Sequence, residues 1–122
     1  MIGGTLTHLA LGTVYCWGNF ISYLPPEMKF WDGKQHPGMV SDATIGIPLV
    51  LIAQCLTMPM GPLIVGKFGA ARTMLVGSLI ASSGVYLSSY MDRLGPFLAL
   101  YAVVFGLGMG SAYTAPMAAA WK

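Results

Sequence analysis

Hydrophobic and polar positions in this chain segregate into long blocks and do not alternate. Every Lys, Arg, Asp and Glu falls outside four apolar stretches, 1–26, 43–66, 73–91 and 94–121. At about 1.5 Å of rise per residue, roughly 20 apolar residues carry a helix across the ~30 Å hydrocarbon core of a bilayer. Trimmed at their ends, the blocks predict four transmembrane helices over about 5–24, 43–65, 73–90 and 97–121, joined by loops 25–42, 66–72 and 91–96. A membrane β-barrel needs short alternating segments with regular turns, and these continuous runs lack that period. The expected fold class is an all-α membrane protein, a single membrane unit over residues 1–122.

Proline and charge refine the pattern. Pro25-Pro26 stops the first span, because neither residue continues a helical hydrogen-bond ladder. Pro48, Pro59 and Pro62 predict kinks in the second. The first stretch has no basic start and no small-residue cleavage site, so it reads as a retained span and not as a secretory signal. Lys67, Arg72 and Lys122 fall on one side of the membrane, and Lys29, Lys34 and Arg93 on the other. The tie is broken by the compact, acid-free connector holding Lys67 and Arg72, which points to the cytoplasm and places both chain ends there.

The first span carries the most information. At 100° per residue, Thr5, His8, Gly12, Tyr15, Asn19, Ser22 and Tyr23 share one arc of roughly 100°, opposite Ala10, Val14, Trp17 and Ile21. Lipid cannot satisfy such a stripe, so it should face the bundle interior or a water-filled cavity. The plainer reading is adhesion between helices, since Ser, Thr, Asn and Tyr join neighbours at about 0.6 kcal/mol per contact. Tyr15, Asn19 and Tyr23 are the candidate lining, joined by Tyr113 of the fourth span; their hydroxyls and amide can donate to an oxyanion while leaving the cavity uncharged. Gly77, Gly106 and Gly110 read as packing positions, with small residues spaced for close helix approach.

Composition narrows the function classes. Only 8% of residues are charged and 56% are apolar, where about a quarter charged is usual for a soluble domain. The net charge of +2 is dispersed, with no basic run for nucleic acid. Cys16 and Cys55 lie inside spans as small packing residues, and no zinc-type spacing, nucleophile–base set or phosphate-cradling loop occurs. No enzyme activity, metal or cofactor is expected. None of the four helices carries a central Asp, Glu, Lys or Arg, and His8, near a span end, reads as an interfacial imidazole.

The segment from Gly61 to Arg72 resembles the loop between the second and third spans of the major facilitator superfamily. Lys67, Phe68 and Gly69 match its basic–x–Gly core, and Arg72 its trailing basic position. Gly66 stands where the motif has an acid, and Gly61 lies one residue too far upstream for its leading glycine. Within that superfamily, Gly12 to Phe20, with Tyr15-Cys16-Trp17, and the Gly-rich run Gly106 to Pro116, followed by Trp121-Lys122, resemble oxalate–formate antiporter-like and monocarboxylate-transporter-like proteins. The resemblance implies the first third of a twelve-span fold built from three-span inverted repeats. It implies secondary transport of a small mono- or dicarboxylate by alternating access, with early-span aromatics around the substrate and neutralising basic residues on later spans. Partners would be membrane lipid, a small organic anion, and the remaining spans or a membrane partner. Two rival readings stand beside it: a non-transporting subunit or nonfunctional fragment, whose stripes pack against a partner, and a four-span dimeric exporter, which would need an embedded carboxylate that the first helix lacks.

Overall fold

The computed structural model describes residues 2–34 and 36–121, so Lys122, counted above toward the orientation, lies outside the described residues. The first apolar block forms a rod in three pieces: α1 (Ile2–Leu11), a 3-10 segment (Gly12–Cys16) and α2 (Trp17–Tyr23). The switch to 3-10 geometry begins at Gly12-Thr13, where the Thr13 hydroxyl donates to the Ala10 carbonyl at 2.7 Å. Back-bonding of this kind draws on a carbonyl that the helix itself uses and bends the rod. Leu24 then turns extended (φ −63°, ψ 141°), as a residue before proline must.

Ser41 caps a 3-10 turn (Asp42–Ile45) by accepting from the Ala43 N–H, and α3 (Gly46–Thr57) and α4 (Met60–Phe68) follow. The second span breaks once, at 58–59, where the two arms meet at 53°. Pro59 sits at that break. Pro48 and Pro62 fall in the first turns of α3 and α4, where the missing N–H has no helical partner to lose.

The connector expected over 66–72 narrows to one residue. Gly66 to Phe68 finish α4, Ala70 opens α5 (Ala70–Ser88), and Gly69 between them has φ 84° and ψ 154°, a region open only to glycine. A final rod contains α6 (Leu94–Leu98), a π-helical turn (Ala99–Val104) and α7 (Phe105–Ala120). Among the described residues, two helices, Ala70–Ser88 and Leu94–Ala120, are long and apolar enough to cross a membrane, and the bent α3–α4 pair makes a third if taken as one span. The fourth expected span, the first rod, is not a single long helix because of its 3-10 interruption.

α7 is the hub, with α5 along one side, α3 and α4 along another, and α1 against it as well. These contacts are close because glycines meet backbone. A Cβ on Gly77 would sit 2.8 Å from the Ala112 nitrogen, and one on Gly108 would strike Ala81. Gly106 meets Ala53 and Val50 of α3, Gly110 meets Thr57, and Gly61 of α4 meets Thr114. In lipid no hydrophobic drive joins helices, so this contact area supplies much of the association. The two ends of the bundle differ. Gly4 packs on Pro116 at the end that carries the Lys67–Arg72 connector, while Trp31 of the long loop packs on Gly95 at the other.

Candidate functional site

The first rod is positioned by Trp17. Its side chain is 2% exposed, its indole N–H donates to the Ala43 carbonyl at 3.0 Å, and its ring stacks on Tyr101 at 4.7 Å and Phe97 at 5.9 Å. Tyr101 itself stacks between Phe97 and Phe105, so four rings from two rods form one layer. Gly46 of α3 lies under the indole, where a Cβ would come within 2.9 Å. This layer escaped the sequence reading, although its signal was present: Phe97, Tyr101 and Phe105 recur every four residues on one helix face.

With Trp17 inside, Val14 and Leu11 are buried and Ile21 half-buried, and the polar arc turns outward. Tyr15 is 67% exposed and Tyr23 88%, and Asn19 and Ser22 share that open side. From Tyr15 to Tyr23 the stripe therefore does not pack within this bundle, whereas His8, nearer its start, does. Of its two expected settings, burial among these helices is replaced at Tyr15, Asn19 and Tyr23 by an open face, because the larger indole claims the interior. No hydrogen bond or ring contact joins Tyr113 to these three among the described residues. Tyr113, half-buried on α7, meets His8 instead, edge to face with centroids 4.4 Å apart.

Two side-chain polar atoms of the described residues are buried without a partner, His8 Nδ1 on α1 and Gln54 Oε1 on α3. Leaving such an atom unpaired costs about 1–3 kcal/mol, a cost folds tend to accept where a group has another use. Lys67 and Arg72 are exposed on either side of Gly69, whereas Gly61 is buried in the α4–α7 contact, away from the other three motif residues.

The loop at the opposite end is tied by its own polar groups. The Trp31 N–H donates to Asp42, Ser41 donates to the Lys29 carbonyl, and His36 Nε2 lies 2.7 Å from Asp32 Oδ2. The hydrogen bond from His36, with a second from the Lys34 N–H, holds the Asp32 carboxyl below its ordinary value. No group of three or more His, Cys, Asp or Glu side chains among the described residues is placed to hold a metal.

Among curated proteins, the chain is similar to carriers and transporters. It is 26% identical to apicoplast pyruvate carrier 1 of Toxoplasma gondii over 96% of the chain and 27% of that protein. It is 31% identical to apicoplast pyruvate carrier 2 of the same organism over 100% of the chain and 19% of the carrier. Monocarboxylate transporter 3 of Mus musculus is 38% identical over 83% of the chain and 21% of its own length. The chain thus spans about a quarter or less of these relatives. No protein-family model and no solved structure matches it. The relatives are carriers and not enzymes, and with the apolar helices they mark an integral membrane protein.

Proposed function

We propose that this chain forms the early spans of a secondary carrier of the major facilitator type, moving a small carboxylate such as pyruvate by alternating access. The observation that carries this reading is the full-length likeness to a pyruvate carrier that is itself about five times longer, joined to an open polar face on the first rod. Tyr15, Asn19 and Tyr23 would line an aqueous route closed on its far side by further spans. Phenol and amide donors suit this task, since they bind a carboxylate without leaving a fixed charge when the route is empty. The aromatic layer around Trp17 would keep the rod rigid while halves of the carrier rock, and the Gly69 connector, with Lys67 and Arg72 exposed, would face the cytoplasm with both chain ends. Lys29, Lys34 and Arg93 would lie on the opposite surface.

Reconstituted in liposomes, a complete carrier containing these spans should exchange labelled pyruvate or lactate for an unlabelled monocarboxylate inside. Flat uptake across a panel of mono- and dicarboxylates rejects the carrier reading, and co-purification of a defined membrane partner in its place would favour a non-transporting subunit.

A further inference from the structure

Resting on the carrier reading above, we infer that a small carboxylate docks in a groove at the Lys67–Arg72 end of the bundle, where it accepts a hydrogen bond from Nε2–H of His8. The groove, of about 570 Å³, opens between the start of α1, the start of α5 and the end of α7, with Gly4, Thr5, His8, Ala71, Met74 and Pro116 in its walls. Its volume falls within the range of small-molecule pockets, and such pockets are mostly apolar with a few polar groups that set orientation. Here the imidazole is the one ring with a polar edge in the wall.

Burial chooses which nitrogen is offered. Nδ1 of His8 is enclosed with no partner, so a proton there would be a buried donor without an acceptor. The tautomer with the proton on Nε2 leaves only a lone pair unpaired at Nδ1, the better tolerated of the two defects, and makes Nε2–H the donor of a residue that lines the groove. Tyr113, edge to face at 4.4 Å, fixes the plane of the ring and acts as a positioning residue. Thr5 is the other polar side chain of the α1 wall, and the remaining walls add no polar side chain: Ala70, Ala71 and Met74 come from α5, and Met117, Ala119 and Ala120 from α7.

Charge selects an anion. All four acidic residues, Glu27, Asp32, Asp42 and Asp92, belong to the long loop and the turn before α6, at the far end of the bundle. The groove end carries Lys67 at the close of α4 and Arg72, next to Ala71 in the groove wall. An end with cations and no acids concentrates anions at its mouth. The site is separate from the Tyr15–Asn19–Tyr23 face and would serve as the vestibule that loads it.

The chain has two histidines, and His36 lies in the far loop as a built-in reference. The ¹⁵N-histidine-labelled chain in lipid nanodiscs is titrated with ¹³C-pyruvate, and with chloride at equal ionic strength. His8 should report the Nε2–H tautomer and shift saturably with pyruvate and not with chloride, while His36 stays still. His8→Leu should weaken pyruvate binding about tenfold, and His8→Gln, which keeps a donor, should recover part of the loss. A proton found on Nδ1, or pyruvate binding that leaves the His8 signals unmoved, overturns the vestibule. The carrier reading fails separately: a complete carrier containing these spans that exchanges pyruvate normally with His8→Leu retains it and rejects the vestibule, whereas absent exchange by the unaltered complete carrier rejects the carrier.

Discussion

At the level of single residues, the decisive choice is which aromatic of the first rod goes inside. Trp17 wins because its indole has both an acceptor, the Ala43 carbonyl, and a stacking surface in Tyr101 and Phe97. Trp17→Phe should cost about 1 kcal/mol through the lost hydrogen bond, and Trp17→Ala about 3–5 kcal/mol through the added cavity, both read from thermal unfolding in detergent. A rod that tolerates Trp17→Ala without loss is not anchored this way. Gly69 offers a second test. Nothing lies within 4 Å of a Cβ placed there, so Gly69→Ala isolates the backbone term, expected at about 1–3 kcal/mol. Asn19→Leu should leave unfolding unchanged and lower pyruvate exchange about tenfold, since it removes one donor to a charged ligand from an open face. That Tyr15, Asn19, Ser22 and Tyr23 share a side was legible from a 100° period, though His8 of the same arc turns to Tyr113. The direction of that side was not, because aromatic residues occupy both sides of the rod and the partners that favour Trp17 lie on distant spans.

Secondary-structure elements show the same division between what local chemistry encodes and what packing decides. The stop at Pro25-Pro26 was readable, as it depends on proline stereochemistry next door. The last rod begins at Leu94, ahead of Pro96 and not after it as expected, because a proline fits the first turn of a helix. The single bend at Pro59 among three prolines was less readable: a proline breaks a helix only beyond its first turn, and where α3 and α4 begin is set by their contacts with α7. The α5–α7 crossing rests on Gly77 and Gly108, and Gly108→Val should separate these helices and lower the unfolding midpoint more than Leu107→Val, whose side chain is exposed. In the long loop, Asp32 is depressed by its hydrogen bond from His36. A carboxyl with a lowered folded pKa stabilises the loop above its ordinary titration range, and that contribution disappears as pH falls through the depressed value. NMR contacts between His36 and Asp32 should persist below pH 4, the usual aspartate range, and vanish at more acid pH; their loss already at pH 5 contradicts the pairing.

Across the whole molecule, the charge layout and the open rod face are the features that speak to function. Four acids gather at one end of the bundle and none at the other, and the described start and finish of the chain meet at the acid-free end through Gly4 and Pro116. Sequence blocks foretold an all-helical membrane unit, and the carrier likeness agrees with the kind of protein they implied. What they could not convey is which helix becomes the hub, because that depends on matching glycines across three interfaces of α7 at once. Val14 and Asn19 condense the account. In a background with Cys16 and Cys55 replaced by Ser, a membrane-impermeant maleimide should label Asn19→Cys rapidly in proteoliposomes and leave Val14→Cys unreacted. Labelling of Val14→Cys with Asn19→Cys protected would contradict the open polar face on which the proposed transport route depends.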